Sequence, residues 1–241
     1  MTILFIEPGI LAVHTQVLDT TSHQHALQQV TLPMSHMSLT IQLDQLTTYR
    51  CNSTAFILKS HVSHQLSMQS GWVILIEPSS ALGQCIDTRL AQNSLIQCPL
   101  QTMPTIHSDL KDLLALCHLK YVQNNRHLDV RIQSLLVQLD QCFTTSCIKP
   151  EHWLAKDIAT QLNLSESRFL HLFKQNMQLP WRPYLLWRRL ICAIKVISKG
   201  GSATQAAYIA GFSDSAHLSR TFKKQFGITL QKLLSRKNTQ Q

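Results

Sequence analysis

No apolar run in this 241-residue chain reaches the roughly 20 residues that a membrane-spanning helix needs. The N-terminus carries acidic Glu7 and no basic lead-in, so a signal peptide is not expected. Both absences point to a cytoplasmic protein without a membrane partner. The seven cysteines are odd in number and scattered, and none forms a Cys-x-x-Cys pair. That pattern is neither a disulfide framework nor a zinc signature. Most read as reduced thiols of the core or surface. Cys142 and Cys147 stand close together near a presumed linker, where they are either a redox pair or two unrelated thiols. No nucleophile–base constellation and no phosphate-binding glycine loop is visible, so neither catalytic residues nor a cofactor is expected.

What remains is a chain long enough to bury a core, with room for two domains. Its hydrophobic content of 44% is ordinary for a globular protein. The net charge of +9 is unevenly spread. Residues 1–149 hold 8 basic and 9 acidic side chains, a net −1. Residues 150–241 hold 14 and 4, a net +10. All the excess positive charge is therefore C-terminal, which suggests a polyanion partner there and a different task upstream.

To about Leu100 the chain reads as strands. Ile3 to Ile6, Leu39 to Leu43, Ala55 to Leu58 and Trp72 to Ile76 are short apolar or β-branched runs. Thr20 to Ser22, Asn52-Ser53, Ser70-Gly71 and Pro78 to Ser80 separate them as turns. No 3.6-residue period is sustained, so a small antiparallel sandwich or barrel is expected. Histidines concentrate here. His23 and His25 form a His-x-His pair at a presumed strand start, and His61 and His64 follow the third run. Residues two apart on a strand share a face, so His23 and His25 can share a cavity. The four histidines are candidates for hydrogen-bonding a small-molecule effector; metal ligation and an ordinary polar role at strand ends stay open beside that. No carboxylate at a convincing spacing completes a metal set, so no metal site is assigned.

From Ser108 the period changes. Leu110, Leu113, Leu114, Cys117 and Tyr121 fall on one helical face, as do Leu128, Ile132, Leu135, Leu136 and Leu139 in the next segment. Asn124-Asn125 breaks the two, giving an expected antiparallel helix pair that packs on the sheet or offers a stripe to a second subunit. Thr144 to Pro150 has no period, carries Thr, Ser and Pro, and coincides with the charge change. The expected division is an effector-binding and dimerisation domain over 1–143, a linker over 144–152, and a DNA-binding domain over 153–241.

Between Trp153 and Thr229 one pattern occurs twice. Ile158-Ala159, Leu162 to Ser165, Phe169 and Phe173-Lys174 make the first copy. Ala206-Ala207, Ala210 to Ser213, Leu218 and Phe222-Lys223 make the second. Each is a short apolar helix, a tight turn and a longer helix with apolar residues four apart, the signature of a helix-turn-helix. Ser165 is expected to cap a helix from Glu166 to about Asn176, and Ser213 one from Asp214 to about Gln225. Gly211 supplies a positive φ to the second turn. Phe169, Leu172 and Phe173 should face inward in one longer helix, and Leu218, Thr221 and Phe222 in the other. Ser167, Arg168, Leu170, His171 and Lys174 remain outside in the first, and Ser215, Ala216, Ser219, Arg220 and Lys223 in the second. Such faces suit DNA: Arg pairs with guanine, Ser donates or accepts, and flanking Lys and Arg meet phosphate. A helix from Tyr184 to Ser198, with Pro183 in its first turn and Gly200-Gly201 after it, would hold the two motifs apart.

Over about residues 153–235 the chain resembles the AraC/XylS family of bacterial transcription regulators. The resemblance is carried by Ala159, Leu164-Ser165, Phe169, Phe173-Lys174, Tyr184, Arg189 and Ala193. The run Ala210-Gly211-Phe212-Ser213-Asp214, with His217, Ser219-Arg220, Phe222-Lys223 and Phe226 to Thr229, is its most specific part. Gln178, Leu230 and Asn163 depart from the family pattern; the first and third stand where glycine is usual, the second where proline is. The N-terminal part is more weakly similar to the cupin-like effector domains that such regulators carry. The resemblance implies an α+β protein: a cupin-like sandwich or barrel with a helix pair, then an all-α domain with two helix-turn-helix motifs. It implies sequence-specific binding of double-stranded DNA under a small-molecule effector, as a homodimer, with RNA polymerase a possible further partner. Two rival functions are a metal-dependent cupin enzyme with a DNA-binding appendage and a non-specific architectural DNA binder. The duplicated motif argues against the latter.

Overall fold

The computed structural model describes residues 4–34, 38–44, 47–120, 128–144, 153–230 and 232. Residues 145–152, Tyr121, Asn124-Asn125, the Cys142 side chain and Cys147, on which several expectations rest, lie outside them. The chain forms two compact units, residues 1–124 with 219–241, and residues 125–218.

The first unit holds an antiparallel sheet of eight strands: β1 (Leu4–Glu7), β2 (Ile10–Asp19), β3 (Gln28–Pro33), β4 (Leu39–Leu43), β5 (Thr47–Cys51), β6 (Thr54–Leu58), β7 (His64–Ile76) and β8 (Leu95–Pro99). The 13-residue β7 is its spine. It pairs with β2 along most of its length, with β4 near its start (Leu43 opposite His64), and with β3 near its end (Gln28 opposite Ile76). Strands β6 and β8 continue beyond β3, and β5 pairs only with β4.

Alternate residues of the central strands face one core, because successive strand side chains point to opposite faces. Ile10, Ala12, Val30, Leu32, Ala55, Ile57, Trp72, Ile74 and Ile76 supply it. Helices α1 (Ala81–Leu90) and α2 (Leu110–Leu116) cover this layer with Leu82, Ile86 and Leu90, and with Leu110, Leu113 and Leu114. Helix α1 was not expected from the apolar period. Its Ser80, read as a turn residue, is the cap: the hydroxyl accepts the Gly83 N–H at 2.9 Å.

In the second unit α3 (Val130–Thr144), α4 (Ala155–Gln161), α5 (Glu166–Met177), α6 (Trp181–Ser198) and α7 (Ala203–Ile209) precede the start of α8 (Ser215–Phe226). The stretches expected as a helix pair thus fall in different units. Helix α2 packs on the sheet, whereas α3 lies against α5, the Asp129 N–H donating to Asn176 Oδ1 at 2.8 Å. Helix α6 starts three residues before Tyr184, with Pro180 at its N-cap and Pro183 in the first turn. At about 1.5 Å per residue, its 18 residues make a rod of roughly 27 Å. Helix α7 opens with a capping box, in which Ser202 Oγ accepts the Gln205 N–H and Gln205 Oε1 accepts the Ser202 N–H. Ser202→Ala should cost about 1 kcal/mol of stability, read as a lower urea midpoint at unchanged m-value. No helix among the described residues is long and apolar enough to cross a membrane.

Candidate nucleic-acid interface and histidine cluster

The first motif is α4, a turn and α5. The turn closes through Asn163, which takes the left-handed φ of 54° that asparagine tolerates, and through the Leu164 N–H donated to Ala159 O at 2.8 Å. Ser165 caps α5 as expected, accepting the Arg168 N–H. Phe169, Leu172, Phe173 and Met177 are buried. Phe169 and Phe173 meet Trp181 edge to face, with centroids 5.2 and 4.9 Å away. Gln178 ends α5 in a left-handed conformation, its N–H donating to Lys174 O, so the αL stop usually given to glycine is made by glutamine. Ser167, Arg168, Leu170, His171 and Lys174 are all exposed, on an arc of about 160° at about 100° per residue.

The second motif is α7, a turn and α8. Gly211 has the positive φ, 74°, and the Phe212 N–H donates to Ala207 O at 2.8 Å. The cap differs from expectation. Asp214 accepts the His217 N–H at 2.6 Å, while Ser213 donates its hydroxyl to the other Asp214 oxygen at 3.0 Å. A carboxylate is the stronger acceptor and suits the positive end of the helix dipole, so it displaces serine from the capping role. Arg189 of α6 supports the turn, donating Nε–H to Ala210 O at 2.9 Å and a second N–H to Gly211 O. Its guanidinium also lies over the Phe212 ring, 4.2 Å from the centroid. Burial lowers the Arg189 pKa from its ordinary value. Leu218 and Phe222 are buried and Thr221 is half-buried. Ala216, Ser219, Arg220 and Lys223 are exposed and Ser215 half-buried, on an arc of about 140°.

The first unit brings three of the four singled-out histidines together. His23, in the loop before β3, forms a β-bridge with His64 at the start of β7. The ring centroids of this pair are 4.2 Å apart, those of His25 and His64 5.3 Å, and those of His23 and His25 5.8 Å. One ring nitrogen from each lies within 4.8 Å of the other two. His61 does not join them. Its side chain is exposed, and its backbone N–H donates to His25 O at 2.8 Å.

Two of the three tautomers follow from their partners. A carbonyl only accepts, so Nδ1 carries the proton in His23, which donates to Thr21 O at 2.8 Å, and in His64, which donates to Val62 O at 2.9 Å; His25 faces an acceptor on each side, with Leu27 O 2.9 Å from Nδ1. Burial is the first cause that pushes all three pKa values down, to about 4 for His25 and about 3 for His64, with the neighbouring rings adding to it for these two. Nε2 of His25 lies 3.1 Å from Gln29 Oε1. The neutral rings of His23 and His64 then carry lone pairs on Nε2. That of His64 is buried without a hydrogen-bond partner among the described residues. Gln29 was missed because a single glutamine in a strand carries no sequence signal.

A helix-turn-helix domain model matches residues 158–236, which span both motifs. No curated protein matches the chain. Among solved structures the chain is similar to ToxT from Vibrio cholerae. The unsaturated fatty acid-bound form is 13% identical, with 96% of each chain covered and a TM-score of 0.52. The form bound to (E)-4-(8-methylnaphthalen-1-yl)but-3-enoic acid is also 13% identical, with 93% of this chain and 99% of that chain covered and a TM-score of 0.51. At such identity the likeness speaks for the fold alone: an antiparallel β domain followed by a helical helix-turn-helix domain. The two tandem motifs, built around the residues described above, make residues 158–236 a helix-turn-helix domain of the AraC type.

Proposed function

We propose that the protein binds specific sites on double-stranded DNA through the exposed faces of α5 and α8 and is regulated by a small-molecule effector through its N-terminal part. The observation that carries this reading is the pair of polar and basic helix faces within a segment of net charge +10. Each helix buries one side, which keeps it rigid, and offers Ser, Arg, His and Lys to base edges and phosphates on the other. Residues 153–241 are the DNA-binding part, 1–143 the effector and dimerisation part, and 144–152 the linker. Helix α6 is the spacer that lets two reading heads enter successive major-groove segments. ToxT, which is similar in fold, is bound to an unsaturated fatty acid in one structure and to (E)-4-(8-methylnaphthalen-1-yl)but-3-enoic acid in another, and this supports a small-molecule effector here. The protein acts as a homodimer in the bacterial cytoplasm, with RNA polymerase as a further partner, and carries out no catalytic step itself.

Sites selected from random duplexes by the full-length protein supply the operator for the test. Affinity for it should fall steeply with salt, because bound phosphates release counterions. Arg220 reaches from the exposed side of α8, and its donor fork suits a guanine edge. Arg220→Ala should cost about 1–3 kcal/mol on the preferred site and flatten preference at one base pair. Anisotropy titrations against single-base operator variants check this. Equal weakening on every sequence, with the salt slope reduced by about one, would assign Arg220 to phosphate instead. Salt-insensitive or absent DNA binding by the wild type would sink the whole reading.

A further inference from the structure

We propose that His23, His25 and His64 form a three-histidine site for a divalent transition-metal ion, and that loading this site is felt at the C-terminal end of the recognition helix α8. The inference deepens the regulator reading: its second half rests on that reading, whereas metal binding stands on the cluster alone.

Four features of the cluster point to a metal. The three rings come from two chain segments, and their nitrogens approach within 4.8 Å. Each Nδ1 lies within hydrogen-bond reach of a backbone carbonyl, which fixes the rings and, in His23 and His64, directs the lone pair to Nε2. Metal-bound histidines are oriented in this way, with the second nitrogen donating to a carbonyl or carboxylate. Nε2 of His64, a residue 1% exposed, has no partner among the described residues. A buried acceptor left without a donor calls for an explanation, and a cation supplies one. Finally, His25 is buried while His23 is half-exposed, so the group has an inner wall and an open side.

The donor set decides the metal class. Among the described residues neither a carboxylate nor a thiolate belongs to the cluster. Three imidazoles disfavour calcium and magnesium, which take oxygen, and suit zinc, cobalt, nickel or copper(II). Bonds of about 2.1 Å in a tetrahedral site place nitrogens about 3.4 Å apart, so the rings would draw inward by roughly an ångström. Three protein ligands leave a fourth position for water or a small ligand.

Drawing His23 inward acts on α8 through contacts inside the first unit. His23 Nδ1–H is held by Thr21 O, and Thr21 in turn donates its backbone N–H to Gly227 O at 2.9 Å and its hydroxyl to the same oxygen at 3.2 Å. Gly227 follows the last residue of α8 with φ +64°, and a Cβ there would stand 2.5 Å from His23 Nδ1 and 2.9 Å from Thr20 Cβ. Phe226 meets the His25 ring at 6.1 Å. A small displacement of His23 therefore cannot leave the Thr21–Gly227 contact unchanged.

The test uses the untagged full-length chain, stripped by a chelator. Titrated with Co2+, it should show ligand-field absorption that saturates at one equivalent, and Zn2+ should displace the cobalt. His64→Ala and the milder His64→Gln should both abolish the spectrum, while His61→Ala should keep it. A wild-type chain that takes up neither ion overturns the site, whatever the variants do; so does a His61→Ala variant as impaired as His64→Ala. Operator affinity of the wild type should then differ by about fivefold or more between stripped and zinc-loaded protein, and His23→Ala should erase the difference. Equal affinities in a chain that binds zinc overturn the link to α8. A chain that binds zinc but no DNA in either state would instead overturn the regulator reading.

Discussion

Replacing Trp181 with alanine is expected to destabilise the helical domain by about 3–5 kcal/mol, the range for deleting a large aromatic side chain from a packed core. Trp181 is the first residue of α6 and is 2% exposed. Phe169 and Phe173 of α5 present themselves to it edge to face. Trp153 and Tyr184 lie on it at 6.3 and 6.4 Å, and its indole N–H donates to Trp153 O at 3.4 Å. The ring is thus what α5, α6 and the entry to α4 share, and its loss leaves a cavity that α5 alone cannot fill. Because a domain is commonly stable by only about 5–15 kcal/mol, such a loss should shift the urea midpoint strongly and lower operator affinity by depleting the folded form. Trp181→Phe should recover much of the stability. Leu170→Ala, at an exposed position on the outer face of the same α5, should change stability by less than about 0.5 kcal/mol. Comparable destabilisation by Trp181→Ala and Leu170→Ala would refute this account of the core.

The tandem motifs were legible because the signals that made them are local. Phe169, Leu172 and Phe173 declare a buried stripe by spacing alone, Ser165 declares the start of α5, and Gly211 the turn. What failed there was a choice between neighbours: Ser213 and Asp214 both can cap, and only the geometry shows that the carboxylate does. The sheet was less legible. Strands β4 and β6 stand out as β-branched and apolar runs, but β3 does not, since Gln28, Gln29 and Thr31 sit on it and are nevertheless buried. Their side-chain N–H groups are hydrogen-bonded, Gln28 Nε2 to Gly83 O and Gln29 Nε2 to Thr31 Oγ1, and such partners are not visible in a linear pattern. Helix α1 shows the same limit, with only Leu82, Ile86 and Leu90 as large apolar residues on its buried stripe. For the histidines, the His23–His25 spacing was readable. The choice of His64 over His61 was not, because it depends on where β7 begins and on the bridge between residues 41 positions apart.

Removing Asp140 should destabilise the helical unit by about 2–3 kcal/mol, more than an exposed ion pair would cost. The Arg188 side chain is 7% exposed and that of Asp140 42%, with 2.7 Å between Nη1 and Oδ1. The same nitrogen donates to the Tyr184 hydroxyl at 3.3 Å. The arginine therefore carries a buried charge, while its partner on α3 stays within reach of water; this is why the expected loss falls below the roughly 3–5 kcal/mol for breaking a fully buried pair. Asp140→Ala takes this carboxylate from a guanidinium that stays inside. Arg188→Met removes the charge and keeps much of the volume, so once that substitution is in place the loss of Asp140 should cost little. A urea-denaturation cycle over wild type, the two single variants and the double variant measures the coupling directly. The double variant should be more stable than Asp140→Ala alone, and the cost of Asp140→Ala should change little with added salt, since buried charges are poorly screened. A cost below about 1 kcal/mol that vanishes in high salt would mean that Asp140 of α3 does not balance Arg188.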